Sequence, residues 1–206
     1  MSSIADQIVK RLSEQKTGWV CTPKDFLDLG NRAAVDQALY RLVKAGQLRR
    51  VGRGLYDVPR TSKLLKRLAP ADLYSAVAAV TRRDDAKIMR SGSVYANLLG
   101  LTNQVPAKVV YDTDGTSRTL TIAGFSVYFR HAPPSVMRWA GKPGARVVQA
   151  LRWLGPYASK DPDVVPILKR VLPDYVKLDL SQGIRYMPGW MRPIVHDVTN
   201  NKAVGS

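Results

Sequence analysis

Between Thr22 and Pro59 the chain is punctuated too closely for most folds. Thr22-Pro23 reads as a helix start, because threonine caps exposed amide donors and proline suits the first helical position. The short helix that follows turns Phe26 and Leu29 inward and stops at Gly30. Asn31 then caps a further helix, expected over residues 32–45, with Val35, Ala38, Leu39 and Leu42 at the spacing of one buried face. Gly46 closes it as a left-handed residue. The next thirteen residues, 47–59, alternate Leu48, Val51, Leu55 and Val58 around Gly52-Arg53-Gly54, which predicts a β-hairpin with arginines at its tip.

Upstream, Ile4, Ile8 and Leu12 with Ala5 and Val9 form an apolar stripe behind Ser3 as N-cap, and Trp19 to Cys21 reads as extended. The order is therefore helix, strand, helix, helix, hairpin, which is that of a winged helix-turn-helix. In such an arrangement the second helix of the pair enters the major groove with its N-terminal end and outer face. Asn31, Arg32, Ala33, Gln37, Tyr40, Arg41 and Lys44 occupy those positions. Arginine can bridge guanine and glutamine can bridge adenine. Arg32 and Asp36 are also i,i+4 neighbours, for which a local ion pair is the simpler role. Arg49, Arg50 and Arg53 suit a phosphate or a narrow minor groove. Thr22, Lys24, Lys63, Lys66 and Arg67 are expected as contacts to the DNA backbone.

Charge points the same way. The 206 residues hold 32 Lys and Arg against 16 Asp and Glu, a net charge of +16. Such an excess suits a polyanionic partner and makes association depend on salt. It is spread along the chain and not gathered in a tail: residues 1–60 hold eleven basic and six acidic groups. Cys21 is the single cysteine, so no intramolecular disulfide can form, and a reducing cytoplasm is expected. Residues 1–15 read as an amphipathic helix and not as a signal peptide, and no apolar run is long enough to span a membrane.

The domains expected are a DNA-binding unit over 1–60, a linker over 61–69 and a second domain over 70–200. In the latter, a helix is expected from Pro70 to about Arg83, another from Ser91 to Leu99, and strands near 108–111, 118–122 and 127–130. Asp114-Gly115 and Ala123-Gly124 mark turns, which predicts a small antiparallel sheet. Helical stripes follow at Val147, Ala150, Leu151 and Leu154, then at Val164, Ile167, Leu168 and Val171, with a last helix near Pro188. The class is α+β.

Gly92-Ser93 followed by Asp112-x-Asp114 resembles the Gly-Ser turn and magnesium-binding carboxylates of a nucleotidyltransferase. Eighteen residues intervene between Ser93 and Asp112, however, and Asp114 falls in an Asp-Gly turn, so turn formation is the expected role. His131 and His196 lack ligand-spaced partners. Trp139, Trp153 and Trp190 sit at core spacing. No catalytic residue, cofactor or metal is expected.

The stretch from Asn31 to Gly46 with Leu48 to Tyr56 resembles the winged helix of AbiEi-type antitoxins of type IV toxin–antitoxin, or abortive-infection, systems. SGSVYANLLGLTNQVPAKVVYDTDG (91–115) and RTLTIAGFSVYFRHAPP (118–134) resemble that family's C-terminal antitoxin domain. The resemblance implies a repressor that binds repeats in its own promoter. It also implies that the second domain counters a nucleotidyltransferase toxin. The alternatives are a stand-alone winged-helix regulator and a nucleotidyltransferase using Asp112 and Asp114.

Overall fold

A computed structural model describes residues 2–62 and 66–200. The chain is α+β and divides into two compact units. The first runs through Ala86 and includes Arg118–Val127; the second takes Lys87–Ser117 and the residues from Tyr128 onward. Among the described residues, no helix is long and apolar enough to cross a membrane.

The first unit begins with α1 (Ile4–Ser13). Ser3 Oγ accepts from the Asp6 amide at 3.2 Å while the Asp6 carboxylate accepts from the Ser3 amide at 3.0 Å, so two otherwise unpaired N–H groups are satisfied reciprocally. Strand β1 (Val20–Cys21) follows, then a 3₁₀ turn at Pro23–Phe26 where the sequence predicts a short helix. Helix α2 (Arg32–Lys44) is capped as expected: Asn31 Oδ1 accepts from the Ala34 amide at 2.9 Å. Its Val35, Ala38, Leu39 and Leu42 are buried with Ile8, Leu12 and Phe26 in one apolar core. Gly46 has φ +72°, a conformation glycine adopts without steric cost.

Strands β2 (Arg49–Gly52) and β3 (Leu55–Asp57) form the hairpin, irregular between Arg50 and Gly52. β3 also pairs with β1, giving an antiparallel sheet in the order β1-β3-β2. Within the expected linker, β4 (Thr61–Ser62) and β5 (Arg67–Leu68) make a short antiparallel ribbon. Helix α3 (Leu73–Asp84) starts at an Asp72 cap and not at Pro70; Asp72 Oδ1 accepts from the Ser75 amide at 2.8 Å.

Helix α3 belongs with the first unit, not with the residues that follow it. Its end is bolted there by arginines. Arg82 Nη2 donates to the Val20 carbonyl at 2.9 Å and pairs with Asp25 at 3.2 Å, and its guanidinium lies 4.9 Å from the Trp19 ring centroid. The residues concerned lie about sixty positions apart, beyond the reach of any local pattern. Strand β8 (Arg118–Ile122) and the start of β9 (Phe125–His131) also join this unit, turning at Ala123–Gly124. The Ala123 amide donates to the Val51 carbonyl at 2.7 Å, engaging a backbone acceptor of β2.

The second unit contains β6 (Ile88–Arg90), α4 (Gly92–Leu98) and β7 (Val109–Thr113). β6 pairs antiparallel with β7, whose other neighbour is β9 and not β8. The Ala132 amide donates to the Thr113 carbonyl at 2.8 Å, so the C-terminal ends of β7 and β9 lie together. The sheet is therefore mixed, which corrects the wholly antiparallel expectation. The helical remainder comprises α5 (Pro134–Met137), α6 (Ala145–Leu154), α7 (Val164–Val171), α8 (Asp174–Gly183) and α9 (Met191–Thr199). Trp139, Leu151, Leu168, Leu180 and Met191 are buried in its core. α8 escapes the sequence reading because its stripe is thin: only Val176, Leu180 and Gly183 are buried.

Candidate nucleic-acid interface

Helix α2 turns four apolar side chains to the core and leaves Arg32, Ala33, Asp36, Gln37, Tyr40, Arg41 and Lys44 exposed on one continuous outer face. This follows from the helical period, which returns every third or fourth residue to the same side. Gln37 and Arg41 have no side-chain partner among the described residues, so their hydrogen-bonding groups are open to a ligand. Arg32 Nε donates to Asp36 at 2.8 Å, the local ion pair anticipated at that spacing. Lys44 Nζ stands 5.6 Å from the Tyr40 ring centroid, and Tyr40 is 55% exposed. Asn31 is exposed but its carboxamide oxygen caps the helix, and Ala33 offers only a methyl group beside it.

The three hairpin arginines have different environments. Arg50 and Arg53 are exposed. Arg50 Nε reaches the Gly52 carbonyl at 3.2 Å, and the Arg53 guanidinium has no partner among the described residues. The backbone at the tip is held: Arg83 Nη1 donates to the Arg53 carbonyl at 2.9 Å. Arg49 instead turns inward. Its Nε and Nη2 bind both oxygens of Asp57 at 2.9 and 2.6 Å, and Nη1 donates to the Ala69 carbonyl at 2.9 Å. The Asp57 side chain is 4% exposed, so this fork is an internal brace. The Asp57 hydrogen bond raises the Arg49 pKa further. Arg49 therefore does not have the open guanidinium expected of a groove contact.

Thr22 is likewise corrected. It is buried, and its amide and hydroxyl both donate to Asp25 Oδ2, at 2.7 and 3.0 Å. Lys24 is exposed but its Nζ donates to the Arg83 carbonyl at 3.3 Å, at the C-terminal end of α3 where a cation is favoured. Lys66 and Arg67 are exposed, Lys66 with φ +48°. Lys63 lies outside the described residues.

Among the described residues, the chemistry-bearing side chains of the second half are not grouped as a metal centre. Both Asp112 oxygens are engaged: Arg130 Nε donates to Oδ1 at 2.8 Å and Gln149 Nε2 to Oδ2 at 2.7 Å. Asp114 instead accepts from the Lys87 amide at 2.8 Å. Among the described residues no three His, Cys, Asp or Glu side chains are grouped to hold a metal. Cys21 is buried, which pushes its thiol pKa up to about 12 and leaves it protonated at neutral pH. Trp139 is core and Trp190 packs against it, whereas Trp153 is 41% exposed.

The chain belongs to DUF6088, a family of unknown function, whose model matches residues 7–186. No curated protein and no solved structure matches it.

Proposed function

We propose that the chain is a sequence-specific DNA-binding repressor whose first unit is a winged helix, with α2 reading the major groove. One observation carries this reading. A capped helix leaves an uninterrupted polar face open, and beside it in the same unit a braced hairpin exposes Arg50 and Arg53. The net charge of +16 supplies the attraction to phosphate on which such binding rests. Gln37 and Arg41 are the base readers; Arg50, Arg53, Lys44, Lys66 and Arg67 act on the backbone or minor groove. Binding is the proposed mode of action, and the nucleotidyltransferase alternative is disfavoured because Asp112 and Asp114 are turned to separate protein partners.

The resemblance to AbiEi-type antitoxins extends the reading. On that footing the DNA is the chain's own promoter, and the second unit counteracts a nucleotidyltransferase toxin encoded beside it. Nuclease footprinting on the upstream region tests repression. A protected set of repeats is expected, and uniform protection that vanishes at physiological salt would contradict it. Co-expression with the neighbouring reading frame tests the antitoxin half: growth restored by the chain supports it, and growth arrest that persists refutes it.

A further inference from the structure

The second unit contains a polar cavity of about 360 Å³, within the size range of small-molecule sites, lined in part by Gly92, Asp112, Arg130, Gln149, Arg152 and Trp153. Its lining is organised from below. Gly92 opens α4 so close to α6 that a Cβ there would stand 2.1 Å from the Gln149 carbonyl oxygen, so only glycine fits and Gln149 is held in place. Gln149, itself buried, fixes one oxygen of Asp112 at 2.7 Å. The other Asp112 oxygen takes Arg130 Nε at 2.8 Å and Nη2 at 2.7 Å, which sets the plane of that guanidinium.

With both oxygens occupied, Asp112 has little left for a cation. Arg130 is still 54% exposed and its Nη1 has no partner among the described residues. Arg152 is exposed and its guanidinium also has no partner among them. Two guanidinium groups against one carboxylate leave the cavity net positive. His131, also in the lining, has Nδ1 within 2.9 Å of the Gly115 carbonyl. Trp153, 41% exposed, adds an aromatic surface beside these groups. Oriented guanidinium forks favour an oxyanion such as phosphate, and an indole face favours a flat ring.

We propose that this cavity binds a mononucleotide, its phosphate held by Arg130 and Arg152 and its base against Trp153. The site is separate from the DNA reading above and does not depend on it.

Calorimetric titration of the full chain tests the assignment, using AMP, GMP, CMP and UMP, with adenosine and inorganic phosphate as fragments. At least one nucleotide should saturate at one per chain with a Kd below about 1 mM. Both fragments should bind at least about tenfold more weakly. Arg152→Gln should weaken nucleotide binding about tenfold, whereas Arg170→Gln, which removes another exposed charge, from α7, should not. Trp153→Leu should abolish the advantage of nucleotide over phosphate. The proposal is overturned if no nucleotide saturates, if phosphate binds as well as every nucleotide, or if the two arginine variants lose affinity equally.

Discussion

Arg49 and Arg53 are four positions apart in one hairpin and are chemically alike, yet they have opposite fates. Arg49 braces the buried Asp57, whereas Arg53 faces solvent. Removing Arg49 strands a buried carboxylate, so Arg49→Ala should destabilise the fold by about 2–4 kcal/mol. Arg53→Ala should change stability by less than about 0.5 kcal/mol and act only on DNA affinity. Urea denaturation of the two variants checks this, and equal midpoints would refute it. Sequence showed that arginines cluster at the hairpin but could not divide them, because Asp57 comes opposite Arg49 only once β2 pairs with β3 and the Ala69 acceptor lies twenty residues away. Thr22 was hidden for a related reason: a capping residue and a surface contact share one signature until burial is known. Cys21, with its thiol raised by burial, should resist alkylation at pH 8 in the folded chain and react once the chain is denatured. Rapid labelling of the native protein would contradict that environment.

At the scale of elements, α2 was the most legible, expected over 32–45 and found as Arg32–Lys44. Cap, buried face and terminating glycine all agree there, and such agreement across levels is what makes a segment readable. Asn31→Ala should cost about 1 kcal/mol and Asn31→Gly only a few tenths, measured by thermal or urea unfolding. Losses of equal size would mean that the side-chain bond to Ala34 is not what the position supplies. The sheet was less legible, because nothing local announces that β9 and not β8 lies beside β7. The end of α3 was placed to within a residue, at Asp84 against the expected Arg83, but its ionic partners were not legible. There Asp84 receives Arg83 and Arg118, and the Arg83 hydrogen bond above all holds its carboxyl below the usual carboxylate range. A depressed folded-state pKa contributes stability above the unfolded value, and the contribution is lost as pH falls through the folded value. Wild type should therefore be more stable than Asp84→Asn at pH 7, with the gap closing on acidification towards pH 3. A gap that stays constant across that range would contradict the coupling.

At the scale of the whole molecule, charge and class were readable from composition and periodicity, but the partition into units was not. The first unit extends through α3 and takes in residues 118–127, a discontinuous arrangement that no linker signal reveals. The open face of α2 was legible because it needs only the helical period. The cavity around Asp112 was not, since its lining comes from four separate stretches of chain. On the proposed DNA-binding reading, affinity should fall steeply with salt, and Arg53→Ala should lower the slope by about one released counterion.

The most direct test of the α2 reading is a fluorescence-anisotropy titration of wild type, Gln37→Ala and Arg41→Ala. Each is measured against the chain's own upstream duplex and a series with single base pairs exchanged. The prediction is that each variant loses about 1–3 kcal/mol on the native duplex and ceases to discriminate at one base pair that wild type distinguishes. Wild-type affinity and wild-type discrimination in both variants would contradict it.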